Sequence, residues 1–139
     1  MAIVFQSQDI DFKLKKGTSV KRWIKSIIER EGKKQGQINF VFTSDEELLK
    51  TNIQFLDHDT YTDIITFDYC EGNVVSGDII ISVERVRENA GKFKTEFKTE
   101  LHRVIIHGVL HLCGYKDKTK KAAALMRQKE DEALGLFDD

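Results

Sequence analysis

The stretch HGVLHLCGYKD, residues 107–117, carries two histidines at positions i and i+4, then a glycine, then an aspartate. On a helix, residues so spaced stack on one face with Cβ atoms about 5–6 Å apart. That separation lets two imidazole nitrogens reach one zinc ion at about 2.0–2.1 Å. A helix ending at Gly114 lets the chain turn back, so that Asp117 can offer a carboxylate oxygen as third donor. Two imidazoles and one carboxylate leave a coordination position open, the mark of a catalytic rather than a structural zinc site, where water ionises near neutral pH. The same spacing also fits two helix-face histidines beside a solvated turn. From the residues alone, both readings stand.

Other groups have two readings each. Gly108 stands where HExxH metalloproteases hold their general-base glutamate, so a peptidase reading lacks its base, and close packing against the helix is the simpler role. Asp63 and Asp78, at or near strand ends, could orient a ligand imidazole or position water, or serve ordinary strand-end hydrogen bonds. His58, in the loop Asp57-His58-Asp59, is a substrate contact or a surface residue. His102 points away from the ligand face and is structural or exposed. Cys113 and Cys70 read as small buried thiols. Lys116, Lys118, Lys120 and Lys121 crowd after the turn, either as a solvated helix start or as a cationic rim for a phosphate backbone. Lys13, Lys15, Lys16, Lys21, Arg22 and Lys25 form a second basic stretch.

The chain that must position these groups has 139 residues, 40% hydrophobic and 32% charged, which is the size and balance of one globular domain over 1–139. A net charge of −1 argues against non-specific coating of nucleic acid, and no DNA is expected. Two cysteines far apart suit a reducing cytoplasm rather than a disulfide framework. The N-terminal apolar run is too short for a signal peptide, and no stretch nears the ~20 apolar residues of a membrane span.

Periodicity then supplies the elements. AIVFQ reads as a strand. Thr18 or Ser19 can cap a helix with apolar positions Val20, Trp23, Ile24, Ile27 and Ile28, ending near Gly32. QINFVFT alternates as a strand. Ser44 with Glu47 makes a capping box for a second helix. TDIITFDY and GDIIISVE form a strand pair, and Ser82 can cap the helix that follows. A further helix runs from about Thr95 to Leu112, with Phe97, Leu101, Val104, Ile105 and Leu112 on one side and Gly114 as a left-handed C′ residue. The last helix spans roughly Lys118 to Leu134. This order predicts an α/β (α+β) fold, a mixed sheet of about four strands packed with about five helices, with the metal site at the end of a central helix.

At this point the chain resembles the YbeY-type endoribonucleases, bacterial rRNA maturation factors and zinc hydrolases, whose hallmark reads H-G-x-L-H-L-x-G-Y-D-H. It matches at His107, Gly108, Leu110, His111, Leu112, Gly114 and Tyr115. TNIQFLDHDTYTDIITF and GDIIIS match two further blocks at Asn52, Asp59, Thr62, Asp63, Phe67, Gly77, Asp78 and Ser82. The resemblance covers about residues 35 to 135. It implies a metal-dependent endoribonuclease of ribosomal RNA processing, with His107 and His111 as ligands, a Zn2+ ion, and ribosomal RNA and ribosomal subunit components as partners. Two departures stand out. The family's third histidine falls on Asp117 and its preceding aspartate on Lys116; a carboxylate keeps a metal-binding oxygen but lowers the charge of the centre and its Lewis acidity. The arginine of the second block falls on Leu56, which cannot contact a phosphate as a guanidinium does. Two rivals follow: a non-catalytic ribosome-assembly factor with a structural metal, and a zinc hydrolase of another substrate class such as a peptide.

Overall fold

A computed structural model describes residues 1–57 and 61–138. The elements are β1 (Ile3–Ser7), α1 (Gly17–Arg30), β2 (Lys34–Thr43), α2 (Asp45–Leu56), β3 (Ile64–Asp68), β4 (Val74–Ser82), α3 (Val83–Lys92), α4 (Phe97–Leu112) and α5 (Lys120–Gly135). The strands form one mixed sheet in the order β1-β2-β4-β3, the first three mutually parallel and β3 antiparallel to β4. The α/β class and the counts of strands and helices agree with the sequence reading. His58 and Asp59 lie outside the described residues. Among the described residues, no helix is long and apolar enough to cross a membrane.

The sheet's two faces differ because side chains alternate along each strand. One face presents Ile38, Phe40, Phe42, Val75, Ile79 and Ile81, all essentially without solvent access, and the core lies between it and the helices. Asn39, Val41, Asp78 and Ile80 fall on the other face and are half-buried. α1 buries Val20, Trp23, Ile24, Ile27 and Ile28, the stripe that the 3,4 spacing predicts.

The start of α1 differs from expectation. Neither Thr18 nor Ser19 caps it: the helix begins at Gly17, preceded by Lys16 in the left-handed region (φ 56°), with no side-chain cap. Thr18 and Ser19 thus fall inside the first turn, and Ser19 instead accepts a hydrogen bond from Arg22 (3.4 Å). Ser44 and Ser82 cap their helices, accepting from the amides of Glu47 and Arg85. The capping box at Ser44 is only half formed, since Glu47 Oε2 is buried without a hydrogen-bond partner among the described residues. Ser82 also donates to Asp45, which pairs with Arg85 (Nη2–Oδ2 2.5 Å), tying the start of α2 to α3.

α4 is the central helix. It is buried on nearly every side, not one, because the sheet, α1, α3 and α5 surround it. Beyond its first turn, Arg103, His107 and His111, spaced by four, form the strip that retains solvent access. Gly108 sits where α4 crosses the sheet. A Cβ there would meet Ile64 Cδ1 at 2.9 Å and Ile79 Cγ2 at 3.0 Å, so the glycine lets helix and sheet approach. Overpacking of this kind costs about 1–3 kcal/mol, and alanine's better helix propensity returns about 1. Gly108→Ala is therefore expected to be about 1 kcal/mol less stable in urea titration. A more stable variant would show that the contact is loose.

Candidate metal centre

The site is built where α4 stops. The amide of Gly114 donates to the carbonyl of His111 and that of Tyr115 to the carbonyl of Leu110, both at 3.0 Å. This is the paired bonding of a Schellman motif. It requires a left-handed residue, and Gly114 takes φ 111°. The chain then reverses. Tyr115 anchors the far side by donating its hydroxyl to Oε1 of Glu31 (2.6 Å), the residue that follows α1, under the ammonium of Lys129. Four residues later Thr119 caps α5, accepting from the amide of Ala122. With both ends held, the short span between them swings Asp117 back toward α4.

The resulting geometry is compact. Asp117 Oδ2 lies 3.3 Å from His107 Nε2 and 3.3 Å from His111 Nε2. All three donor atoms lie within 4.8 Å of one another. Donors about 2.05 Å from one ion at the tetrahedral angle stand about 3.3 Å apart, so the carboxylate's separation from each imidazole suits a shared zinc-sized cation. The rings are inclined at 81° with centroids 4.6 Å apart, so each presents an edge nitrogen rather than a face. The donor set of two imidazoles and a carboxylate suits zinc and other divalent transition metals.

Behind His107 lies a residue that sequence reasoning missed. Glu130, on α5 and 4% exposed, places Oε2 2.6 Å from His107 Nδ1. Its other oxygen accepts from Arg103 (2.9 Å), whose second nitrogen donates to Asp131 (2.6 Å). A carboxylate on Nδ1 keeps the proton there and turns the Nε2 lone pair outward, the arrangement common behind metal-bound histidines. Burial pulls the His107 pKa down, but the hydrogen bond and charge of Glu130, with Asp117 and Asp63, outweigh it and hold it above the ordinary value. Burial likewise pushes Glu130 up, yet its bonds to His107 and Arg103 leave it below the usual carboxylate range. The sequence held one faint signal, that Arg103 precedes His107 by one helical turn. Nothing local connects Glu130 to it.

The other candidates disperse. Asp63 lines the cavity beside His107, and its burial raises its pKa against the pull of that histidine. Asp78 does not join it: it lies on the opposite sheet face from Ile79 and accepts from Asn39 Nδ2 (3.0 Å), because adjacent strand residues point to opposite sides. His102 is buried between Trp23 and Phe137. Cys113 is buried, which pushes its thiol up to about 12, and Cys70 is half-buried with its sulfur near the carbonyls of Ser76 and Leu112. Lys116, Lys118, Lys120 and Lys121 are all exposed around the turn, and Lys21, Arg22 and Lys25 are exposed on α1. Leu56 is 41% exposed at the end of α2.

The comparisons with known proteins decide the family. The family model described as Endoribonuclease YbeY matches residues 3–138. The chain belongs to the YbeY family. It is 55% identical over 129 residues to the protein named Endoribonuclease YbeY of Flavobacterium psychrophilum, covering 93% of this chain and 92% of that one. With the protein of the same name from Parabacteroides distasonis it shares 49% identity over 139 residues, covering 100% and 98%. It is also similar to the solution structure of a Thermotoga maritima protein, with TM-score 0.65 and 30% identity over 96% of this chain and 89% of that one. Within this YbeY chain, Tyr115 is the pin of the site's turn. Tyr115→Phe removes a hydrogen bond to a carboxylate, worth about 1.5–3 kcal/mol. A loss of about that size in denaturant titration is expected, and an unchanged midpoint would show that the turn holds itself.

Proposed function

We propose that this chain is a metal-dependent endoribonuclease of ribosomal RNA maturation. His107, His111 and Asp117 hold one zinc ion per chain, and residues 1–139 act as one domain. The observation that carries this reading is the convergence of two imidazoles and a carboxylate, 3.3 Å from each, on a turn in a chain of the YbeY family. When bound, zinc supplies Lewis acidity toward a phosphoryl oxygen and toward water.

The chain's own residues do the rest. Glu130 keeps the His107 proton on Nδ1, so Nε2 stays available. The half-buried Asp63, with its raised pKa, is suited to hold or pass a proton beside the reacting centre. Lys118, Lys120 and Lys121, exposed at the turn, steady the phosphate backbone without reading its sequence. The partners on this reading are ribosomal RNA and ribosomal subunit components in the cytoplasm. The test is incubation with a structured ribosomal RNA fragment before and after chelation and after return of zinc. Cleavage should vanish on chelation and come back with the ion, with about one ion per chain by metal analysis. Cleavage that survives chelation, or its absence from zinc-loaded protein, would overturn the reading.

A further inference from the structure

A cavity of about 450 Å³ opens beside the metal centre and shares His107 and Asp117 with it. That is the size of sites that take small ligands or single groups of larger ones. Its far end is formed by Asn89 and Phe93 from the end of α3, Glu100 from the first turn of α4, and Arg127 from α5. Ile64, Val104 and Met126 supply apolar walls. We propose that this cavity receives one unpaired nucleotide of the RNA, next to the bond being cut, with Glu100 and Asn89 reading the edge of its base and Phe93 covering its face. The inference rests on the reading of the site as an RNA-cleaving centre.

Three features point to a base. Glu100 is 8% exposed, yet among the described residues none donates a hydrogen bond to its carboxyl. Arg103, one turn along, is committed to Glu130 and Asp131. Its oxygens open to the cavity rather than lie sealed off, so the N–H groups of a base edge can reach and bind them. Phe93 lines the cavity and is 58% exposed, so a large ring with much of its surface open is available for stacking. Asn89 lies one helical turn before it, so both side chains address the same space, and its amide supplies one donor group and one acceptor. Arg127 adds a cation for the nucleotide's phosphate. A peptide side chain would use the apolar walls but would not need this combination of flat ring, amide and carboxyl.

Amide NMR spectra of the full chain, titrated with the four nucleoside 5′-monophosphates and separately with inorganic phosphate, test the assignment. The nucleotides, and not phosphate, should shift the Asn89 side-chain amide and the backbone signals of Phe93 and Glu100. One base should bind at least about tenfold more tightly than the weakest. Glu100→Gln should shrink that ratio to about threefold or less, and Phe93→Ala should weaken all four by about tenfold. Should Glu100→Gln fail to fold, Asn89→Ala reads the same discrimination from an accessible position. Equal shifts with phosphate, equal affinity for all four bases, or a ratio that Glu100→Gln leaves intact would overturn the proposal. Cleavage of structured ribosomal RNA without nucleotide shifts in the cavity removes the base pocket and leaves the nuclease reading. Shifts in the cavity without cleavage do the reverse.

Discussion

Asp117→Ala is expected to bind its metal at least about 100-fold more weakly and to lose metal-dependent RNA cleavage, while folding as before. Its Oδ2 stands 3.3 Å from both imidazole nitrogens, so removing it leaves two donors facing a gap. Mutating mere outer partners of metal ligands costs 10–100-fold in affinity or activity, and loss of a donor itself belongs at or above the top of that range. The fold should survive because the turn is pinned elsewhere, by Tyr115 on Glu31 and by the Thr119 cap. Substitution of a half-exposed side chain away from the core changes stability by roughly 0.5 kcal/mol. Asp117→His, which installs the residue of the family hallmark, should retain one ion per chain. Metal titration monitored by calorimetry, alongside the RNA assay, checks all three statements. An alanine variant with undiminished affinity would show that the carboxylate is a bystander.

Glu130→Ala should weaken metal binding by about 10–100-fold and also destabilise the metal-free protein by about 3 kcal/mol. The double effect distinguishes it from Asp117→Ala. Removing one partner of a buried charged pair leaves the other uncompensated, and here two partners, His107 and Arg103, lose their carboxylate. The value sits at the lower end of the usual 3–5 kcal/mol because Asp131 still holds Arg103. It corresponds to a melting point lower by about 10 °C. Glu130→Gln keeps an acceptor without the charge and should fall between.

The pH dependence in chelator follows from the two shifts. His107 lies above its ordinary 6.5 in the folded protein, so its contribution is complete below that value and is lost as pH rises through the folded pKa. Glu130 lies below its ordinary 4.5, so its contribution is complete above that value and is lost as pH falls through the folded pKa. The stability gap between wild type and Glu130→Gln should therefore be widest between 4.5 and 6.5 and narrow on either side. A gap that keeps growing above neutral pH would contradict the charged pairing.

Much of the architecture was legible because it rests on local physics. Alternation in QINFVFT, the 3,4 stripe of Val20 to Ile28, and the serines before Glu47 and Arg85 each act within one or two turns of chain. The boundary that slipped, the start of α1, did so where Lys16 adopts a positive φ that no residue type there announces. Asp78 was instructive among the candidate residues, because its two readings were even and the structure bears out the ordinary hydrogen bond. It sits in a matched block, one residue from Gly77 and Ile79, yet strand alternation sends it to the far face.

By itself, the sequence determined that two imidazoles share a helix face, that Gly114 ends the helix, and that an aspartate follows within reach. These are short-range consequences of helical spacing and of glycine's freedom at positive φ. Only the tertiary structure decided which groups stand behind and beside them. Glu130 comes from 23 residues away to hold His107, Glu31 from 84 away to pin Tyr115, and Glu100, Phe93 and Arg127 meet around one cavity from three different helices. Such meetings depend on how α5, α3 and α1 pack around the buried α4. Packing is set by the shape of the whole core, and no window of sequence contains it.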